Sequence, residues 1–241
     1  MRNNVHMKPV LIIQHVADDG PSYFATWLDQ HHYIYEVRRM FAGDGLPADI
    51  HAYAGLCVLG GPMSANDDLP YLPALFALVR DAIADDIPVI GHCLGGQIMS
   101  KALGGTIGRA DHVEIGWSQL VVEDAEVAAD WFGGNMALQL FQWHGETFSV
   151  PPNARRVVTG RYCQNQAFLV GHKHIGMQFH CEVDESKVRQ WLINGHDELI
   201  NSDSPAVQQA ADILPSLPID LTASQRIAAA IYSRWVQGIC A

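Results

Sequence analysis

Positive charge is scarce in this sequence: 15 lysines and arginines stand against 26 aspartates and glutamates, a formal net charge of −11 over 241 residues. A surface of that sign repels phosphate backbones and anionic lipid, which speaks against nucleic acid as a direct partner. Long hydrophobic runs are missing as well. The opening MRNNVHMKPVLIIQHVADD holds an apolar run too short for a secretion signal, closed by Asp18 and Asp19, and no segment approaches the roughly 20 apolar residues of a membrane span. No membrane partner is expected. Cysteine is sparse and odd in number: Cys57, Cys93, Cys163, Cys181 and Cys240, with no C-x-x-C spacing. That usage argues against a disulfide framework or a zinc ribbon and fits a reducing, cytoplasmic setting. Internal repeats, low-complexity tracts and any linker long enough to divide the chain into independent domains are absent too. What remains is 49% hydrophobic and 17% charged, the profile of a globular chain holding one large domain, with room for a helical appendage.

The first half alternates short apolar runs with longer amphipathic stretches, the pattern of βα units on a mostly parallel sheet. Strands are expected at Val10–Gln14, Tyr33–Arg38, Gly55–Leu59 and Pro88–Ile90, with helices from Ser22 through Leu28 and from Tyr71 to Asp85. A further helix through Ile98, Met99 and Ala102 is stopped by Gly104-Gly105. From Thr106 the pattern changes to short strands at 119–122, 137–141, 156–159, 166–170 and 175–179, which suits an antiparallel portion of a mixed sheet. Helices return at Ser186–Asn194 and from a cap at Thr222, where Gln225 three residues on makes a capping box and Ile227, Ile231 and Trp235 mark a docked face.

Chemistry concentrates between the strand at Pro88 and its following helix. Gly91-His92-Cys93-Leu94-Gly95 is the cysteine form of the G-x-S-x-G elbow, in which a strained turn pushes the nucleophile out over the carboxyl edge of the sheet. Taken alone, such a turn fits a packed thiol equally well; the strand before it, the helix after it and a suitable base favour catalysis. His180 supplies the base. It ends a strand, and Glu182 two residues on points to the same side of an extended chain, where it can hold the imidazole tautomer. Gly60-Gly61-Pro62-Met63 follows a buried strand, so the N–H of Gly61 can join that of Leu94 as an oxyanion hole. His172 and His174, separated by Lys173 and without further ligands at metal spacing, read as a surface turn, and His31-His32 as a solvated helix end. Neither a metal nor a cofactor is expected.

These elements together resemble the class I, triad-type glutamine amidotransferases, in particular the stand-alone, GMP synthase-like subgroup. GHCLGGQ at 91–97 is similar to that family's elbow, GGPMS at 60–64 to its oxyanion loop, and FHCE at 179–182 to its FHPE element, with Cys181 where proline is usual. The resemblance spans roughly Val10 to Trp191. It implies a three-layer α/β fold of flavodoxin-like type, with a mostly parallel central sheet and flanking helices. Residues 1–200 would form that domain and 201–241 a C-terminal helical extension packed on it. It further implies that Cys93 attacks the side-chain amide of L-glutamine, that His180 shuttles the proton with Glu182 orienting it, and that a γ-glutamyl thioester forms and is hydrolysed. Gln97 would contact the substrate, Gly61 and Leu94 would hold the oxyanion, and Gln164–Phe168 would hold the substrate's α-amino and carboxylate ends. Trp143-His144-Gly145-Glu146 resembles a WHGD-type segment of the subgroup, without an evident role. These 241 residues hold no segment expected to be a synthetase domain, so three outcomes stay open: a glutaminase, a γ-glutamyl peptidase acting on glutathione-like substrates, or an amidotransferase subunit gated by a separate synthetase.

Overall fold

The computed structural model describes residues 8–239; Cys240 lies outside the described residues. One nine-stranded mixed sheet carries the fold. Its parallel region comprises β1 (Val10–Gln14), β2 (Tyr35–Arg39), β3 (Gly55–Val58), β4 (Val89–His92) and β9 (His174–Met177). These strands lie in the order β2-β1-β3-β4-β9. The sheet then continues antiparallel through β8 (Ala167–Val170), β7 (Ala154–Thr159), β5 (Ile107–Val122) and β6 (Ala137–Phe148).

β1 is buried along its whole length, and its period-2 alternation splits the core between two faces. Val10 and Ile12 pack on one side against Phe24, Trp27 and Leu28 of α1 (Ser22–Gln30) and against Ile227, Ile231 and Trp235 of α7 (Ala210–Gln237). Leu11 and Ile13 pack on the other, against Leu75 and Val79 of α2 (Leu72–Ala84) and Leu94, Ile98 and Met99 of α3 (Leu94–Ala102). The result is the expected three-layer arrangement of a sheet between helices. A third cluster covers the antiparallel portion, where Trp117 and Phe141 meet Val188 and Leu192 of α5 (Glu185–Asn194), Leu199 of α6 (His196–Asn201), and Ile213 and Leu217.

The structure differs from the sequence pattern in three places. β5 and β6 are far longer than the runs at 119–122 and 137–141, and the Trp143–Glu146 segment lies within β6. Polar side chains face inward there: His144 Nε2 lies 3.0 Å from Glu114 Oε2, the same oxygen accepts from Gln166 Nε2 at 2.8 Å, and Gln142 Nε2 donates to Gln166 Oε1 at 3.0 Å. A buried polar ladder gives no apolar alternation to read. The last helix begins twelve residues before Thr222, at Ala210, with Gln209 and Asp212 forming its capping box. Pro215 and Pro218 sit inside it, each an interruption of about 3 kcal/mol. Burial of Ile213, Leu217, Ile227, Ile231 and Trp235, at about 1.5–3 kcal/mol per side chain, outweighs them. Finally, His174 belongs to β9, 3% exposed, with Nδ1 accepting from the Val89 N–H at 3.2 Å. It is a core histidine, with no place in a surface turn.

Candidate active site

β4 and β9 are adjacent and parallel, with His92 opposite Met177. Whatever follows each strand therefore emerges side by side at the carboxyl edge, where open α/β sheets bind ligands. Cys93 follows β4 and caps α3 with φ 48° and ψ −107°, a left-handed strained backbone. Gly95 makes the turn possible, since a Cβ there would fall on the carbonyl of Val58. Leu94 opens α3, so its N–H lies in the helix's first turn, where amides lack intrahelical partners.

His180 and Glu182 follow β9. His180 N–H donates to Phe141 O at 2.8 Å, which fixes the segment against β6. Side chains then alternate: His180 Nδ1 meets Glu182 Oε1 at 2.7 Å, while Cys181 points the other way, toward Tyr232 Oη at 3.5 Å and His92 Nδ1 at 3.8 Å. The Cys181 thiol is thus buried in the core, and burial followed by the Glu182 charge pushes its pKa up. Gly60 leaves room for the imidazole, since a Cβ there would come within 2.9 Å of His180 Cε1.

The electrostatics of the pair are strong. Burial pulls the His180 imidazolium down, but the charge of Glu182 and that of a Cys93 thiolate, each with its hydrogen bond, outweigh it and hold the pKa well above the ordinary histidine value. For Glu182, burial pushes up, and His180, His92 and Lys187 more than reverse it, leaving the carboxyl well below its usual range. Lys187 was not singled out by the sequence pattern. Its Nζ lies 2.6 Å from Asp19 Oδ1 and 3.7 Å from Glu182 Oε1, with the side chain 3% exposed. His92 Nδ1 lies 3.1 Å from Glu182 Oε2. Gln178, next along from β9, donates from Nε2 to Cys93 Sγ at 3.6 Å, and the thiol lies 3.8 Å from the carbonyl of Trp143. A lysine four residues before Trp191 on the inner face of a helix was the available signal for Lys187, whose Nζ sits 5.2 Å from that indole's centroid.

A cavity of about 230 Å³ opens over the elbow, lined by Cys93, His180, Gly61, Trp143 and Trp191 among others. Gln97 is set back from it. Its carboxamide donates to Glu146 O at 3.1 Å and to Gln178 Oε1 at 3.4 Å, tying α3 to β6. Asn165, of the 164–168 segment, donates to Phe148 O at 2.9 Å.

Two buried groups bring three metal-capable atoms within 4.8 Å of one another among the described residues: His92, Cys181 and Glu182, and Glu114, His144 and Cys163. In the second, each atom already has a protein partner, with Thr147 Oγ1 3.1 Å from Cys163 Sγ. Among the described residues no helix is long and apolar enough to cross a membrane.

An imidazole anchored through one nitrogen by a carboxylate, with its other nitrogen available to a thiol, can move a proton on and off sulfur. Fold and site together define an α/β protein of the nucleophile-elbow class with cysteine at the elbow. The family model described as "Glutamine amidotransferase class-I" matches residues 35–196. The chain belongs to the class I glutamine amidotransferase family. It is 43% identical to the crystal structure of a glutamine amidotransferase from Methylobacillus flagellatus, with a TM-score of 0.94 over 96% of this chain and 95% of that one. A glutamine amidotransferase of Thermotoga maritima is 27% identical with a TM-score of 0.86, covering 96% of this chain and 99% of that one. A GMP synthase [glutamine-hydrolyzing] of Lactobacillus acidophilus is 34% identical over 139 residues, 55% of this chain but 25% of that protein.

Proposed function

We propose that this chain hydrolyses a γ-glutamyl amide, turning glutamine into glutamate and ammonia through a thioester on Cys93. The observation that carries the reading is the left-handed Cys93 at the head of α3 and the buried His180–Glu182 pair, with Cys93 and His180 lining one cavity. His180, held through Nδ1 by Glu182, takes the thiol proton on Nε2. The thiolate attacks the amide carbon, and the oxyanion is received by the N–H groups of Gly61 and Leu94. The imidazolium, held by the Glu182 carboxylate, gives the proton to the leaving nitrogen, and the C–N bond breaks. Water, deprotonated by His180, then cleaves the thioester. Gln97 acts by fixing α3 against β6 beneath the site. The free thiols of Cys57, Cys93, Cys163 and Cys181 support a reducing, cytoplasmic setting.

The test is release of ammonia and glutamate from L-glutamine by the purified chain, beside Cys93→Ala and His180→Asn. Loss of about 10⁴-fold in kcat with an unchanged unfolding midpoint is expected, as for other nucleophile–base units; undiminished turnover in Cys93→Ala would overturn the reading. One observation favours a second reading, in which a separate synthetase subunit gates the activity: the matched GMP synthase is about four times the matched length. A glutaminase rate that rises only with a co-purifying ATP-using protein would select it.

A further inference from the structure

The cavity at Cys93 is chemically one-sided. Besides the thiol and His180 it is lined by the indoles of Trp143 and Trp191, by Asp18 and by Asn194. Asp18 is exposed, and its Oδ2 accepts from Asn194 Nδ2 at 2.9 Å, which holds the carboxylate in place. Among the described residues no lysine or arginine lines the cavity. The nearby Lys187 is buried and spent on Asp19 and Glu182. A further carboxylate stands against Trp143, whose Nε1–H donates to Glu198 Oε2 at 2.9 Å. The two indoles meet at 73° with centroids 5.9 Å apart, forming an apolar corner whose π faces favour a cation over an anion.

Position decides which end of a substrate meets this wall. In the proposed reaction the tetrahedral carbon carries sulfur, an oxyanion toward Gly61 and Leu94, the acyl chain, and the nitrogen that His180 must protonate. The nitrogen therefore lies on the His180 side. Trp191 is on that side, its ring T-shaped against His180 with centroids 4.7 Å apart, and Asn194, three residues along α5 from Trp191, holds Asp18 at the same cavity. A substituent on that nitrogen is therefore next to Trp191. The cavity of about 230 Å³ seats the γ-glutamyl group together with what leaves on nitrogen, and ammonia makes no use of a carboxylate or an indole on its wall.

Resting on the proposed hydrolysis, we propose that the preferred substrate is a γ-glutamyl amide of an alkyl diamine, with Asp18 binding the distal ammonium of the leaving group and Trp143 and Trp191 lying along its methylenes. The C–S bond to Cys93 forms first, and the C–N bond breaks when the tetrahedral carbon collapses to the thioester. The thiol proton passes through His180 to the leaving nitrogen, the diamine departs, and water releases glutamate while returning a proton to sulfur. Leaving groups that end in a carboxylate, as in glutathione-like peptides, meet Asp18 with the wrong sign.

The test is kcat/KM of the full chain on three amides of matched length, γ-glutamyl-4-aminobutylamine, γ-glutamyl-butylamine and γ-glutamyl-4-aminobutyrate, with L-glutamine alongside. The cationic amide is expected to exceed the neutral one by about tenfold and the anionic one by more, with the advantage shrinking as salt is raised. Asp18→Asn, which keeps an acceptor for Asn194, should bring the cationic amide down to the level of the neutral one. Equal rates on the cationic and neutral amides, or equal losses on every amide in Asp18→Asn, would overturn the assignment. Cysteine-dependent hydrolysis of glutamine without cleavage of any substituted amide would overturn it while sparing the proposed hydrolysis, whereas silence on all four substrates would overturn both.

Discussion

Replacing Lys187 by methionine tests whether the charges beneath the site act as a unit. The side chain is 3% exposed, and those of Asp19 and Glu182 are 6% and 0%. Methionine keeps the apolar stem and removes the cation, so Asp19 is stranded as a buried carboxylate while Glu182 retains His180. Breaking a buried pair from one side costs about 3–5 kcal/mol, most of it the cost of the charge left behind. With an m-value of about 3 kcal/mol per molar urea, the unfolding midpoint should fall by about 1 M or more. Asp19→Asn alone leaves the lysine with only the longer contact to Glu182, at 3.7 Å. The double variant removes both charges and should be less destabilised than the two losses together, with a coupling of about 1–3 kcal/mol. Urea unfolding followed by circular dichroism at pH 7.5 measures all three. A loss below about 1 kcal/mol in Lys187→Met, or additivity within about 0.5 kcal/mol, would refute the view that this buried cluster is held by mutual compensation.

Three further expectations follow from the packing. Gly95→Ala would drive a Cβ onto the Val58 carbonyl and should cost at least about 3 kcal/mol or abolish folding, whereas Gly45→Ala, with open space around it, should stay within about 0.5 kcal/mol in the same urea assay. Burial lowers the His174 pKa to about 4, against a partial upward pull from Asp86. Its folded value lies below its unfolded one, so the stability of the neutral form is complete above about pH 6.5 and lost as pH falls toward 4. By pH 5 the loss is about 2 kcal/mol, and His174→Asn, which can still accept from Val89, should flatten that region of the stability profile; an unchanged slope would refute the assignment. Iodoacetamide followed by mass spectrometry should label Cys93 in the native protein, since it lines the cavity, while Cys57 and Cys181, whose pKa values burial raises, react only after unfolding.

The parallel half of the fold and the chemical elements at its carboxyl edge were legible in the chain itself. Buried strands are continuous apolar runs, as at Val10–Ile13, and the Gly91–Gly95 turn and the His180/Glu182 spacing are local: their geometry follows from one backbone conformation and a two-residue period. The same two-residue period turns Cys181, between His180 and Glu182, to the opposite side, toward Tyr232 and His92. What tertiary structure alone decided are contacts between residues far apart in sequence. Lys187 reaches back 168 positions to Asp19, Gln97 spends its carboxamide on β6, and Glu114, His144 and Gln166 satisfy one another where alternation would have placed apolar side chains. α7 runs through two prolines because the surfaces it covers, formed by both halves of the sheet, stabilise it more than the lost hydrogen bonds weaken it. A tight turn or a strand's two-residue alternation is set by neighbours in sequence, but a buried charge or a helix interrupted by proline is tolerated only by partners that folding brings to it.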